Sequence, residues 1–289
     1  MATSMQPTFL FPNDCFNPKQ PDAAYGDRYL AFKQAGFKTA LIEIESLEET
    51  EVYPALSASD VVVYLGWMLS ATDYQFLTRI IEKTGAACFT SSTEYLATHY
   101  LPNWYPLISD LTPETKIFNT TDNLELQLQQ LNWSQYFIKD YVKSLKTSVG
   151  AIIDRPTQIN EVLTEMKKYR GVIEGGVCVR RVEDFITETE ERYFVINGQI
   201  FASEGDYAHS IQGVQSPFGT LARSAVTLRD RNIPDIVKDC ASRIQSNFFS
   251  IDVIKRKDGV LRIVEVGDGQ VSDLVGWSIE RFIQIWQNR

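Results

Sequence analysis

Residues 248–269 read FFSIDVIKRKDGVLRIVEVGDG, two runs of branched apolar residues separated by Asp258-Gly259. An Asp-Gly pair between two such runs is typical of a two-residue type I′ turn, so the segment predicts a β-hairpin. Counting outward from the turn places Asp252 directly opposite Glu265.

Asp252 and Glu265 form the first candidate site, because side chains directly opposed on neighbouring strands have Cβ atoms about 4.5–5.5 Å apart. Two carboxylates at that distance repel each other unless a cation lies between them, and an unpaired charge among apolar residues is unfavourable. Mg²⁺ usually takes one or two protein carboxylates together with phosphates and water. The pair therefore predicts a magnesium–nucleotide site. Two alternatives stay open: one acid faces solvent, or the acids pair with Arg256 or Arg262 in a surface network.

A tight segment, Gly267-Asp268-Gly269-Gln270, follows the second acid. Its glycines allow a sharp backbone path that would bring Asp268 or Gln270 toward the same metal. The G-x-G-x-x-G dinucleotide spacing fails at Ser272, and no G-x-x-x-x-G-K-[ST] pattern occurs, so neither a dinucleotide fingerprint nor a P-loop is present.

Arg192 lies inside a second predicted hairpin, ERYFVINGQIFASE, which is turned by Asn197-Gly198. An arginine in an apolar strand needs a partner, and its planar donor fork matches phosphate or carboxylate oxygens. The alternative is an ion pair of Arg192 with Glu204 or Glu190.

Two further strand-like runs carry basic residues. YFIKDYVK contains Lys139, and VCVRRVEDF contains Arg180, Arg181 and Glu183. In each case an alternative stays open, because Lys139 could face solvent and VCVRRVEDF could be a solvated edge strand.

The chain divides into two parts. Up to roughly residue 110, short apolar runs alternate with longer helical patterns, which favours a parallel α/β sheet. The turn-rich segment SDLTPET marks a boundary, and hairpins with intervening helices follow, as in an α+β domain. The predicted strands of the first part are Thr8 to Pro12, Thr39 to Ile44, Val61 to Leu65 and Ala87 to Thr90. The predicted helices are Ala23 to Ala35, Asp73 to Thr84, Pro156 to Tyr169, Pro234 to Gln245 and Ser278 to Gln287.

Composition limits the classes of function. With 289 residues and 44% hydrophobic content, the chain can bury one or two cores. Its net charge of -9 argues against nonspecific nucleic-acid binding, which needs a basic face. No apolar run approaches the roughly 20 residues of a membrane span, and the N-terminus lacks the features of a signal peptide, so no membrane partner and a cytoplasmic location are expected. The four cysteines show no C-x-x-C spacing, which argues against structural zinc.

Taken in chain order, these segments resemble the ATP-grasp superfamily, and specifically its clade marked by two arginines and one lysine. The similarity covers nearly the whole chain. VVVYLGWMLSATDYQFL and TEYLATHYLPNWYPLISDLTPETKIF resemble the α/β domain that precedes the nucleotide domain in this clade. The later segments follow in the expected order: YFIKDYVKSLKTSVG, VCVRRVEDF, EERYFVINGQI, FFSIDVIKRKDG and LRIVEVGDGQVSDL.

The resemblance implies the domain organisation and the role of each candidate residue. An α/β domain at residues 1–112 would precede an α+β ATP-grasp domain at 113–289, with nucleotide held between antiparallel sheets of a central lobe, 113–188, and a C-terminal lobe, 189–289. The implied nucleotide contacts are Lys139, Lys146, Arg181, Val182 and Glu183. The implied catalytic arginines, near the transferred phosphate, are Arg180 and Arg192. The implied metal ligands are Asp252, Glu265 and, as a substitute for the third, Asp268.

The sequence departs from the clade at three points. An asparagine usually stands two residues after the metal-binding glutamate, where this chain has Gly267. The usual earlier lysine has no clear match, since His99 occupies its neighbourhood and Lys116 comes later. The phosphate loop has a glycine only near its end, Gly150.

The function implied by the resemblance is that of an ATP- and Mg²⁺-dependent ligase, which couples a small-molecule or peptide carboxylate to an amine through an acyl phosphate. No protein nucleophile is required, which agrees with the lack of a convincing Ser/His/Asp or Cys/His arrangement. A kinase-like phosphotransferase and a nucleotide-binding module without turnover stay open. The sequence does not determine the oligomeric state, and a homodimer is compatible with it. Four aromatic residues either line the acceptor pocket or pack in the core: Trp67, Tyr74, Trp104 and Tyr105.

Overall fold

The N-terminal part folds around a sheet whose central strand is buried. The structure, a computed structural model, describes residues 6–48, 50–142, 150–171, 173–203, 215–216, 219–220 and 233–287. The strands of this sheet are β1 (Thr8–Asp14), β2 (Asn17–Pro21), β3 (Thr39–Ile42), β4 (Val61–Tyr64) and β5 (Ala87–Cys88). β1 pairs in parallel with β3 and β4, and β4 pairs in parallel with β5. These pairings confirm the predicted parallel sheet, to which the unpredicted β2 adds an antiparallel pairing at the end of β1.

The N-terminal helices are α1 (Gly26–Gln34), α2 (Ala71–Lys83), α3 (Ser92–His99) and α4 (Leu101–Trp104), and polar side chains cap the starts of α2 and α3. The Ser70 hydroxyl accepts a hydrogen bond from the Asp73 amide at 3.1 Å, and Ser91 forms a capping box with Glu94. Helix α1 begins three residues later than predicted, because the Asp22 carboxylate accepts the Ala24 amide at 2.7 Å in a local turn.

The central lobe is an antiparallel sheet covered by helices on one face. Its strands are β6 (Thr115–Phe118), β7 (Tyr136–Asp140), β8 (Ile152–Ile153) and β9 (Val177–Arg181), in the order β6-β9-β7-β8. The helices are α5 (Leu124–Leu131) and α6 (Ile159–Arg170). Ile138 and Val179 pack against these helices. Lys139 and Arg180, the next residues of the same strands, therefore point to the opposite face.

The C-terminal lobe is a second antiparallel sheet, in the order β11-β10-β14-β15. Its strands are β10 (Phe185–Ile196), β11 (Gln199–Ala202), β14 (Phe248–Arg256) and β15 (Leu261–Asp268). The short strands β12 (Gln215–Ser216) and β13 (Gly219–Thr220) pair with each other. The helices are α7 (Asp235–Arg243) and α8 (Ile279–Gln287).

The β10–β11 hairpin has the predicted turn. Asn197 and Gly198 have φ values of 47° and 75°, as a type I′ turn requires, and Ile196 pairs with Gln199.

The β14–β15 hairpin reaches the predicted pairing by a different path. Its turn has three residues, because the Arg256 amide donates to the Val260 carbonyl at 2.8 Å and Gly259 adopts φ 92°. The two-residue turn was therefore the wrong prediction. A β-bulge between Asp252 and Val253 shifts the register back by one residue, so that Asp252 does pair with Glu265.

One hydrophobic core joins the N-terminal sheet to the C-terminal lobe. Trp286 of α8 contacts Phe9 of β1 and Phe248 of β14, with ring centroids 5.2 and 5.1 Å away. Tyr74 and Trp104 are buried, which confirms core packing for both. In the described part of the chain, no helix is both long and apolar enough to cross a bilayer.

Candidate functional site

A row of charged residues crosses the C-terminal sheet. Arg192 of β10 pairs in register with Asp252 of β14, and Asp252 pairs in register with Glu265 of β15. Residues in register on neighbouring antiparallel strands point to the same face, so the three side chains lie side by side.

Each acid of this row is bound by a cation. Arg192 donates to Asp252 through two bonds, Nε to Oδ1 at 2.7 Å and Nη2 to Oδ2 at 2.6 Å. Its remaining Nη1 donates to the backbone carbonyl of Asp273 at 2.7 Å. Lys139 Nζ donates to Glu265 Oε1 at 3.0 Å and so connects the central lobe to the C-terminal lobe. The acids therefore pair with neither Arg256 nor Arg262, which both bind Glu183 instead.

Burial raises the pKa of both acids and the neighbouring cations lower it, but the balance differs between the two. Burial raises the pKa of Asp252, Glu265 adds to that effect and Arg192 opposes it, which leaves the pKa above its ordinary value. Burial also raises the pKa of Glu265, but the charge and the hydrogen bond of Lys139 outweigh it and the pKa is lowered. The pKa of Arg192 is raised because Asp252 outweighs the effect of burial.

Asp268 does not share this site, which corrects its prediction as the third metal ligand. Asp268 pairs in register with Phe249, and strand alternation therefore turns both side chains to the face opposite Asp252 and Glu265. Its Oδ1 accepts from the backbone amide and the side-chain amide of Gln270, at 3.0 and 3.2 Å. Burial raises the pKa of Asp268 to about 8, so that the carboxyl is mostly neutral at pH 7.

Arg180 is buried between the lobes and its donors are occupied. Its Nη1 donates to the Val264 carbonyl at 2.5 Å, its Nη2 to Thr112 Oγ1 at 2.5 Å, and its Nε to Thr115 Oγ1 at 3.3 Å. Val264 is the extra residue of the β14–β15 bulge. The structure therefore gives Arg180 contacts that tie the central sheet to the bulge, and its predicted role beside the transferred phosphate stays a prediction.

The predicted nucleotide contacts Arg181 to Glu183, called the hinge from here on, line a polar groove of about 640 Å³. Arg181, Val182 and Glu183 all border the groove, and Glu183 accepts from Arg262 Nε at 3.1 Å and from Arg256 Nη1 at 3.3 Å. These contacts connect the hinge to β14 and β15. Lys146, the remaining predicted nucleotide contact, lies outside the described residues.

Two serine hydroxyls lie next to Gly267, the position at which the clade usually has an asparagine. Gly267 pairs in register with Ser250, and the Ser250 and Ser272 hydroxyls are 2.9 Å apart. A Cβ atom on Gly267 would lie 3.1 Å from Ser250 Oγ and 3.2 Å from Ser272 Oγ. Sequence reasoning missed Ser250, although its position two residues before Asp252 on the same strand predicts the same face.

His99 and Lys116, the residues near the expected position of the missing lysine, have other contacts. His99 is buried and stacks on Tyr95 with ring centroids 4.6 Å apart. Lys116 pairs with Glu114, and both side chains are exposed to 45%.

The donor set fits a magnesium ion that also binds phosphate. Asp252 and Glu265 supply two carboxylates on one face, and Mg²⁺ commonly takes only one or two from the protein. Within the described ranges, no group of three His, Cys, Asp or Glu side chains is arranged to hold a metal ion by itself. Phosphate oxygens and water would therefore complete the coordination.

Comparison with solved structures gives the same architecture. D-alanyl-alanine synthetase A from Vibrio cholerae superposes with a TM-score of 0.57 at 13% identity, over 98% of each chain. D-cycloserine synthetase DcsG gives 0.59 at 11% identity, over 97% of this chain and 99% of that one. The ATP-grasp ligase PsnB, complexed with a precursor peptide and AMPPNP, gives 0.57 at 11% identity, over 100% of this chain and 98% of that one. PsnB has also been solved with Mg and ADP.

The sequence itself matches a family, although no protein with curated function matches it. The match is to the ATP-grasp domain, family 3 of the clade marked by two arginines and one lysine, and it covers residues 130–286, more than half of the chain. Those residues contain the whole charged row, Lys139 and the hinge. The chain thus belongs to this ATP-grasp domain family and has the ATP-grasp fold.

Proposed function

We propose that the protein is an ATP-dependent carboxylate–amine ligase that forms an amide or peptide bond through an acyl phosphate and releases ADP and phosphate. The observation that supports this best is the row Arg192, Asp252 and Glu265, which Lys139 contacts from the other lobe. The row supplies cations for a triphosphate and carboxylates for its metal ion in one place.

In this proposal each residue keeps one task. Lys139 exchanges Glu265 for phosphate oxygens of ATP, and the hinge residues hold the base in the groove that they line. Arg192 contacts the transferred phosphoryl group. Arg180 acts as a positioning residue, because its bonds to Thr112 and Val264 hold the two lobes at the site.

The reaction has two steps. A carboxylate oxygen of the substrate bonds to the γ-phosphorus of ATP, the bond to the bridging oxygen breaks, and ADP leaves. The amine nitrogen then bonds to the acyl carbon, the carbon–oxygen bond to phosphate breaks, and the nitrogen loses a proton. Charge spreads over the phosphoryl oxygens during the transfer, so that cations fixed in advance provide most of the stabilisation. A magnesium ion on Asp252 and Glu265 would neutralise part of the phosphate charge.

The relatives support a small-molecule or peptide substrate. One synthesises D-alanyl-alanine, one synthesises D-cycloserine, and one binds a precursor peptide, and all share the fold of this chain. We extend that substrate class to this protein.

The test is to measure ADP and phosphate release with Mg²⁺, ATP and a panel of amino acids and short peptides, with and without an amine. We expect release to require a carboxylate and an amine together, and hydroxylamine in place of the amine to give a hydroxamate from the acyl phosphate. Lys139→Met should abolish release, whereas Lys116→Met, which changes an exposed lysine, should not. A stable phosphorylated product without amine would indicate a kinase, and ATP binding without any turnover would indicate a binding module.

A further inference from the structure

The strand order of the N-terminal sheet reverses between β1 and β4. β1 continues through α1 to β3 on one side, whereas β4 continues through α2 to β5 on the other. In open α/β sheets, ligands bind outside the carboxyl ends of the strands at such a reversal of strand order. The carboxyl ends of β1 and β4 are therefore the place where this class of sheet takes a ligand.

Two aromatic residues, Tyr25 and Trp67, form a wall next to the end of β4. Trp67, three residues after β4, donates its indole N–H to Asp22 Oδ2 at 3.2 Å, and its backbone carbonyl accepts from the Tyr64 hydroxyl at 3.0 Å. Tyr25 packs edge-on against Trp67 with ring centroids 5.1 Å apart. Although its contacts fix its position, Trp67 is 47% exposed, which leaves its face available to a ligand.

Arg28 lies over this wall without an anionic partner. Its Cζ is 5.7 Å from the centre of the Tyr25 ring, and no carboxylate of the described residues forms an ion pair with it. Burial lowers the pKa of Arg28, and the nearby Tyr25 and Asp273 oppose that effect. A partly buried guanidinium is favourable only when an anion compensates it, so Arg28 is set up to receive one.

Asp273 connects Arg28 to the charged row. Its backbone carbonyl is held by Arg192 Nη1 at 2.7 Å, while its side chain is exposed. Within the described part of the chain, no cation pairs with its carboxylate, although Arg28 and Arg192 both lie within the range of its charge. A half-buried cation and an exposed carboxylate thus lie within electrostatic range of each other, and the backbone of Asp273 is held by the arginine proposed to contact the transferred phosphoryl group.

We propose that Arg28 and Asp273 form the subsite of the amine substrate and that this substrate is a free α-amino acid. Arg28 binds the α-carboxylate, Asp273 binds the α-ammonium group, and Tyr25 and Trp67 contact the carbon skeleton. The inference rests on the proposed ligase function, because it assigns the second substrate of that reaction. Since Asp273 is attached to Arg192, the amino group of the ligand would lie next to the arginine that contacts the acyl phosphate.

The test is a titration of tryptophan fluorescence without ATP, so that it does not depend on turnover. The probes are the common L-amino acids and D-alanine, their carboxamides and their N-acetyl derivatives, with Trp67→Phe to identify the reporter. We expect at least one free amino acid to bind, and we expect its carboxamide and its N-acetyl form to bind roughly ten- to a hundredfold more weakly, because each lacks one charge-assisted contact.

Variants make the assignment specific. In the wild type, replacing the α-carboxylate by a carboxamide weakens binding by a certain factor. Arg28→Gln should weaken binding of the free amino acid by that same factor, and it should leave binding of the carboxamide unchanged. Arg28→Lys should recover part of the loss. Arg79→Gln is the matched control, because Arg79 also lies 5.8 Å from the ring of an aromatic residue three positions earlier, but on the exposed surface of α2.

The inference is overturned if no amino acid binds, if carboxamides bind as tightly as free acids, or if Arg28→Gln binds like the wild type. Turnover without such binding would retain the ligase and reject this subsite.

Discussion

Asp252 and Glu265 differ in how much the surrounding structure depends on them. The side chain of Asp252 is exposed to 5% and compensates a guanidinium that is itself 13% exposed, whereas the side chain of Glu265 is exposed to 32%. Removing one partner of a buried pair leaves the other charge uncompensated, which destabilises a protein far more than the loss of an exposed pair.

Asp252→Asn and Glu265→Gln should each abolish Mg²⁺-dependent ATP consumption, because each retains its shape and loses a metal-binding charge. Their effects on stability should differ: Asp252→Asn lowers the free energy of unfolding by roughly 3 kcal/mol, and Glu265→Gln by less. Phosphate release and urea unfolding of both variants measure the two effects. Turnover at the wild-type rate in either variant would contradict the metal assignment.

Asp268 should make stability fall as pH rises. Its pKa of about 8 in the folded protein lies above the value of about 3.9 in an unfolded chain, so the folded state retains a proton that the unfolded state has lost. The stabilising contribution is complete below about pH 4 and is lost between about pH 4 and about pH 8. Asp268→Asn should remove this loss, and its gain in free energy of unfolding over the wild type should grow by roughly 3–4 kcal/mol between pH 5 and pH 8. Urea unfolding across that range measures the difference, and a gain that does not change with pH would rule out a neutral Asp268.

The β14–β15 hairpin shows both the reach and the limit of sequence reasoning at the scale of an element. The apolar alternation around Asp252 and Glu265 predicted the strands, and the facing acids were paired correctly. The prediction nevertheless missed two features whose effects on the register cancel. The turn has a third residue, and the bulge at Val264 shifts the pairing back by one. The bulge exposes a carbonyl to Arg180, which lies 84 residues earlier in the chain, so no local pattern could have indicated it.

Other elements were limited by their local signals. The long helix α2 was predicted within two residues at its start from its helical pattern of apolar residues, whereas its N-cap Ser70 was not recognised. Helix α5 was not predicted, because Asn123 and Asn132, at its two ends, reach the left-handed region without glycine or proline to mark it. In the site, Lys139 was recognised by resemblance, whereas its contact with Glu265 depends on how the two lobes meet.

Gly267 should resist replacement by the asparagine that the clade usually has there. Its Cβ atom would lie 3.1 and 3.2 Å from the Ser250 and Ser272 hydroxyls, which is closer than normal van der Waals contact. Gly267→Asn should therefore lower the free energy of unfolding by roughly 1–3 kcal/mol, as overpacking does. Adding Ser272→Ala should restore part of the lost free energy of unfolding. Gly26→Ala is the control, since nothing lies within 4 Å of its new Cβ. Thermal unfolding of the variants compares them, and an undisturbed Gly267→Asn would mean that the serines can move aside.

At the scale of the whole molecule, two kinds of contact hold the parts together. Lys139 and Glu265 form an ion pair between the central and C-terminal lobes, in addition to the contacts of Arg180 and Glu183, and ATP and magnesium would have to replace that ion pair in the proposed reaction. The N-terminal sheet and the C-terminal lobe instead share a hydrophobic core that contains Phe9, Phe248 and Trp286. Because apolar burial is insensitive to the ligand, we expect ATP to replace the ion pair of Lys139 and Glu265 while the shared hydrophobic core stays closed.

Trp286→Ala should therefore destabilise both sides of the shared core at once. Trp286 is 1% exposed and packs edge-on against Phe9 and Phe248, so its removal leaves a cavity and should cost roughly 3–5 kcal/mol. Hydrogen exchange provides the spatial readout: the amides of β1 and β14 should lose protection by the same factor, because the two strands would open in one cooperative unit. Leu126→Ala, at a position 59% exposed on α5, should change neither the stability nor the protection of the β1 and β14 amides. If β14 lost protection while β1 retained it, residues 1–112 would fold as an independent domain, and the shared core would be an interface between two stable units.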